Sequence, residues 1–366
     1  MKKILNNLLI FAAIGIIFTA CNNDNDSFDP SANIPGFYFC NYGTSGVPST
    51  ITKYDEENDS VTNSYYYEQN GFKLTSNVQY MYEYNDNIYM MGNDADQIIV
   101  TDLTFEKITT VSTDIATPRY CVAKDNYLYI SCWGESLDYE KMANSYIAKF
   151  NVSSNTVEKT IPVAGGPEGL AIANGKLYAA LNYVDSVAVV DLDDNAVSYI
   201  VTPAVASYFV EDGSDNLYVA LVSTYSDPST TTGLGYINTS TNTLDTTYEL
   251  SGVSSGYASI LAPNSDCSII YVLASSYVKI DGEWTQKGAI YSFDTSDKTY
   301  SSFLENLTGI NGMFVDPTSN DGKIFVFGGE SYKEPGTVVS YTTSATKVKE
   351  FDCGISPYWA FYLDNE

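Results

Sequence analysis

Histidine is missing from all 366 residues, and 18 Lys and Arg face 45 Asp and Glu, leaving a net charge of −27. Without an imidazole there is no Ser-His-Asp or Cys-His nucleophile pair, no His-ligated zinc and no His general base. Carboxylates, Tyr, Lys and thiols are what remains for any chemistry, so the expectation is a protein that is not an enzyme and carries no cofactor and no metal. The shortage of positive charge disfavours nucleic acid and anionic headgroups, because the field of the whole chain repels polyanions. Cysteine is scarce as well: beyond Cys21 only Cys40, Cys121, Cys132, Cys267 and Cys353 occur, an odd number at irregular spacing. That pattern fits neither a disulfide framework nor a C-x-x-C metal site. Cys121 and Cys132 either meet across a hairpin or, like the others, are small buried thiols. The acidic turns DLDDN (191–195) and GNDAD (92–96) lack the loop glycine and distal Glu of an EF-hand. Helical spacing is absent after the first twenty residues.

Aromatic residues are abundant by contrast, with 32 Tyr, 16 Phe and 3 Trp. Together with few long helix formers they favour strands. At the N-terminus, Lys2 and Lys3 precede a short apolar run that ends in FTAC. This resembles a bacterial lipoprotein signal over 1–20, with Cys21 as the acylated first residue of the mature protein. Residues 21–35, acidic and punctuated by Pro30 and Pro35, read as a flexible tether. An acidic run directly after a lipidated Cys resembles the surface-export signal of Bacteroidetes lipoproteins. The expected location is therefore the outer membrane, lipid-anchored and facing the exterior.

From residue 36 on, one pattern repeats. GPEGLAIANGKLYAALN (166–182) joins an apolar run, an Asn-Gly turn and an alternating strand, and relatives begin at 77, 117, 206, 254 and 310. Each centres its second strand on an aromatic: Tyr89, Tyr129, Tyr178, Tyr218, Tyr271 and Phe325. Turn residues between two period-two runs signal a hairpin, and a second hairpin follows each first one. Four antiparallel strands thus recur about every 40 to 54 residues, the period of a propeller blade. The segment 37–66 supplies three strands of a further copy, and GISPYWAFYLDNE at the end resembles the missing inner strand. The prediction is an all-β fold over 36–366, a seven-bladed β-propeller closed by N- and C-terminal strands sharing one blade. The competing architecture is a pair of β-sandwich domains of about 170 residues each. Longer blades are expected to carry their additions in loops at 133–145, 223–233 and 275–288.

In such a blade the second-to-third and fourth-to-first connections open on one face. The former carry Tyr42, Trp133, Tyr183, Tyr225, Tyr277 and Tyr332; the latter add Gln79, Tyr80, Arg119, Tyr120, Glu168, Tyr208, Tyr257, Asn311, Tyr358 and Trp359. Aromatic rings give stiff contact area with a polar handle, so a concave face of this composition suits a bulky, flat, partly polar ligand. The alternative is that these rings only pack against neighbouring blades. Arg119 and Glu168 either fix polar groups of a ligand or pair with each other across adjacent blades.

GGPEGLAIANGKLYAALNYVDSVAVVDL resembles the YncE/YVTN-type propeller repeat. The front half, from FYFCNYG to NDNIYMM, resembles the opening blades of BtuG-type surface lipoproteins of Bacteroidetes, although CNYG and LTSNVQYM depart from the usual motifs. The resemblance implies capture of cobalamin or a similar corrinoid, without catalysis, and its transfer to a TonB-dependent outer-membrane transporter. The other expectation is a glycan-binding or protein-interaction propeller that binds no corrinoid.

Overall fold

A computed structural model describes residues 35–223, 232–251, 253, 255–256, 260–280, 283–319 and 321–364. The expected signal and most of the tether, with Cys21, and the candidate residues Tyr225 and Tyr257 lie outside the described residues.

The chain folds into seven four-stranded antiparallel sheets. In the first, Pro357–Leu363 from the C-terminus lies innermost beside Gly36–Asn41, followed by Thr50–Asp55 and Ser60–Thr62. Phe39 stands opposite Ala360 on one side and Thr52 on the other, so the two ends of the polypeptide do share one blade. The six remaining blades each begin with their inner strand: Val78–Tyr84, Pro118–Lys124, Pro167–Ala173, Val205–Glu211, Leu261–Pro263 and Ile310–Val315. Neighbouring inner strands touch in that order, and Pro357–Leu363 touches both Ile310–Val315 and Val78–Tyr84. The circle is closed, which leaves only short sheet edges gathered around the axis and excludes the pair of sandwiches.

Within each blade, residue chemistry follows depth. Middle strands such as Lys176–Leu181 are buried on both faces and read as nearly continuous apolar runs. Outermost strands such as Thr156–Pro162 expose alternate Thr, Glu and Lys side chains, which guards the outer edge against pairing with another chain. The core lies between blades. Among the described residues, clusters of buried side chains bridge adjacent sheets, as where Tyr89 and Met91 of the second blade meet Leu128 and Phe150 of the third. The six aromatics that centre the second strands are all buried and wedge these interfaces.

Two local features differ from the sequence expectations. A helix, Tyr65–Asn70, follows the first blade, where none was expected. Six residues are too few to display a helical period, and the turn is held by tertiary contacts. Tyr65 and Tyr66 are buried, and Asn70 Nδ2 donates to the carbonyls of Tyr66 and Phe105 while its Oδ1 accepts from the Lys107 N–H. The addition at 275–288 is not a loop but the upper half of a long hairpin. Ile269–Ile280 and Glu283–Asp294 stay in register up to Ile280 opposite Glu283. Cys121 faces Ile130 while Cys132 faces Pro118, which puts the two thiols out of register, and all five described cysteines are free. The addition at 133–145 is a loop, as expected. It is folded around Asp138, whose carboxyl is held down to about 2 by the N–H groups of Ala143, Lys141 and Met142.

Candidate functional site

The inner strands carry an irregularity that builds the site. In six blades one extra residue interrupts the pairing with the next strand, at Gln79–Tyr80, Arg119, Glu168–Gly169, Ser207–Tyr208, Asn311 and Tyr358. Such a bulge re-aims side chains, and here it turns consecutive residues toward the propeller axis. Tyr80, Tyr120, Tyr208 and Trp359 meet there and plug the channel. Tyr80 stacks on Tyr120 at 3.9 Å and meets Trp359 edge-on at 4.7 Å, while Tyr208 lies 5.7 Å from Tyr120 and 6.0 Å from Trp359. The rings fit because Gly169 and Gly312 stand at the corresponding positions of their strands. A Cβ on Gly169 would lie 2.4 Å from the Ser207 carbonyl oxygen, and one on Gly312 would lie 2.6 Å from that of Tyr358. Burial pushes the Tyr120 hydroxyl up to about 12 and raises those of Tyr80 and Tyr208 well above the ordinary phenol range.

Above the plug the axis opens into a cup of about 380 Å³, lined from the first, second, third, sixth and seventh blades. Four tyrosines, Tyr42, Tyr277, Tyr332 and Tyr358, provide its aromatic surface, and Gln79, Asn311, Gln286, Ser275 and Thr44 add neutral hydrogen-bonding groups. Tyr277 and Tyr332 form a pair at the mouth: the Tyr332 hydroxyl donates to that of Tyr277 at 2.5 Å, and both rings are about two-fifths exposed (40% and 41%). Tyr358 lies deeper, its hydroxyl pushed up to about 12 by burial and the nearby Glu168 carboxylate. Burial also raises Tyr42, against the pull of the Arg119 charge.

Arg119 is the one charged side chain among the described residues that line the cup. Its Nε donates to Glu168 Oε2 at 2.8 Å and its Nη2 to Oε1 at 2.9 Å, a two-pronged pair between the third and fourth blades. The face of Trp133 lies 3.9 Å from the guanidinium carbon, and the indole N–H is tied to the Pro167 carbonyl. The Tyr208 hydroxyl donates to Glu168 Oε1 at 3.2 Å and lies 3.3 Å from that of Tyr358. Burial works against the charge of Arg119, but the Glu168 carboxylate more than offsets it and the guanidinium stays protonated. Of the two roles considered for this pair, mutual pairing is the one present.

The structure therefore gathers Tyr42, Arg119, Tyr277, Tyr332 and Tyr358 around one cup. Tyr80, Tyr208 and Trp359 form the plug beneath it, and Glu168 stands behind Arg119. Trp133 and Tyr183 sit beside the cup, edge to face at 5.3 Å, with the exposed Tyr139 tilted over Tyr183. Ser275, Gln286 and Thr44 escaped the sequence reading. Gln286, whose Nε2 donates to Ser275 Oγ at 2.7 Å, reaches the cup only because the sixth blade's hairpin continues past the disc. The Asp-Gly pair in the sequence between two alternating runs was the signal for it.

No family model matches this chain, and no curated protein matches it. Solved structures do. A quinoprotein alcohol dehydrogenase-like protein from Bacteroides thetaiotaomicron superposes with a TM-score of 0.65 at 17% identity, covering 91% of this chain and 78% of its own. The periplasmic gluconolactonase of Pseudomonas aeruginosa gives 0.64 at 12%, covering 90% and 99%. A Bacteroides fragilis protein provisionally assigned as a 6-phosphogluconolactonase gives 0.63 at 11%, covering 91% and 99%. These neighbours correct the expectation that the chain is not an enzyme. Proteins bearing the name gluconolactonase share its architecture, so this is a fold that enzymes also use, and the lack of histidine does not decide the question. At these identities the likeness extends to the fold alone: the chain is a seven-bladed β-propeller similar to quinoprotein-like and gluconolactonase-type propellers.

Proposed function

We propose that this chain is a lipoprotein anchored through Cys21 to the outer membrane and exposed to the exterior. In this reading it captures a bulky neutral ligand, a corrinoid, at the axial cup and passes it to a TonB-dependent outer-membrane transporter. The observation that carries the reading is the composition of the cup: four tyrosines from three blades around neutral amides and hydroxyls, with the sole cation already paired. A corrinoid is a flat ring fringed with amides. Its ring suits the exposed faces of Tyr277 and Tyr332, and an amide arm suits the donors and acceptors deeper in the cup. A larger groove, about 670 Å³ under the 133–145 loop, is lined by a single aromatic, Tyr146, and lacks this combination. The tether also fits the reading. Gly36–Asn41 runs toward the cup, so this strand begins on the face opposite it.

Titration of the purified mature chain with cyanocobalamin, followed by Tyr and Trp fluorescence, tests this. Saturable quenching is expected, with affinity at least about tenfold weaker in the Tyr277→Ala/Tyr332→Ala double variant, a loss of about 1.4 kcal/mol. Because both rings are partly exposed, the melting temperature should hold. No saturable response, or equal affinity in the double variant, removes the corrinoid from the cup; saturable binding of a neutral sugar instead supports the glycan reading.

A further inference from the structure

We propose that Glu168 is a specificity-determining residue: by pairing with Arg119 it turns the only cation of the cup into a neutral hydrogen-bond donor that accepts carbonyl oxygens and refuses anions. This rests on the cup being the ligand site, though not on the ligand being a corrinoid.

Two of the three guanidinium nitrogens of Arg119 are committed to Glu168, and among the described residues Nη1 has no hydrogen-bond partner. Arg119 lines the cup while Glu168, 3% exposed at its side chain, does not, so a ligand meets the donor edge and not the carboxylate. A free guanidinium in such a place binds carboxylate or phosphate bidentately. Here the side-on fork of Nε and Nη2 is already occupied by Glu168, and the opposite charge lies within 3 Å of it. What remains are three N–H groups, two on Nη1 and one on Nη2, on a guanidinium held over the Trp133 ring whose charge is balanced by Glu168. An amide or lactone carbonyl satisfies those donors without bringing a charge that the site cannot balance. A carboxylate or phosphate would enter beside Glu168 and within a chain of net charge −27, and both repel it. The ligand class is thereby narrowed to neutral molecules presenting a carbonyl acceptor at the floor of the cup.

The test uses inorganic phosphate as the probe, read by thermal melts at constant ionic strength for the wild type, Glu168→Gln and the neutral double variant Arg119→Gln/Glu168→Gln. The wild type and the double variant should show no saturable shift. Glu168→Gln should gain one, with a midpoint at least about tenfold below any wild-type response, as expected for one released charge. A folded Glu168→Gln protein that ignores phosphate overturns the proposal. So does a wild type that phosphate stabilises saturably while the double variant is unaffected, and that comparison decides the matter even where Glu168→Gln does not fold. Phosphate selectivity as expected alongside a failed cobalamin titration would uphold the charge filter and reject the corrinoid alone.

Discussion

Tyr120 and Tyr358 show most directly what burial at the axis does to single residues. Both are partly buried, and loss of solvent around the phenol lifts each hydroxyl to about 12 from its ordinary 10. Folding therefore keeps protons that the unfolded chain would release. Stability from these groups is complete below pH 10 and is lost as pH rises toward 12, at a slope of up to about 1.4 kcal/mol per pH unit for each tyrosine. Urea midpoints should accordingly fall steeply between pH 10 and 12, and less steeply in Tyr120→Phe; a flat profile for the wild type would contradict the plug. At this scale the sequence was informative about type and weaker about place. The rule of which connections open on which face selected Tyr42, Tyr277, Tyr332 and Tyr358, all of which line the cup. It had no means of separating them from Tyr80, Tyr208 and Trp359, which follow or adjoin them in the same motifs but lie one layer deeper. That distinction depends on bulges, and a bulge is a register offset between two strands that neither strand's own sequence displays.

Among the elements, the inner strand of the fourth blade is the most tightly constrained. Its Pro-Glu-Gly opening places Glu168 against Arg119 and brings Gly169 up to the backbone of the fifth blade's inner strand. Here glycine is required by space, since any Cβ meets both the Ser207 carbonyl and the Tyr208 Cα within 3 Å. Gly169→Ala should destabilise the fold by about 1–3 kcal/mol in urea melts, the usual cost of overpacking. A neutral result would mean that adjacent inner strands are less close than described. Hairpins were the most legible elements, since alternation and turn chemistry are local and mark both arms. The sixth blade's arms were misjudged in length because twelve residues per strand exceeds the usual five or six, inviting a loop where pairing continues. The short helix Tyr65–Asn70 left no periodic trace, being specified by contacts of Asn70 to the Phe105 carbonyl, 35 residues away in the turn between two strands.

The whole molecule owes its single site to closure. With Pro357–Leu363 paired to Gly36–Asn41, the first blade can contribute Tyr42 and Tyr358 to the same cup, although they are separated by nearly the full chain. This closure was readable because the front copy lacked an inner strand and the tail supplied one. The neutrality of the cup was open in the sequence, where Arg119 and Glu168 are 49 residues apart and only the ring sets them side by side. Overall charge reinforces the same selectivity, a strongly negative body around a cup that holds no unpaired positive charge among its described lining residues. The most direct test of this account is a crystal structure of the protein grown with cyanocobalamin. The ligand is expected on the axis, its ring against Tyr277 and Tyr332 and an amide carbonyl at Arg119, with the Arg119–Glu168 pair intact. A ligand bound on the opposite face, or one that separates Arg119 from Glu168, would contradict it.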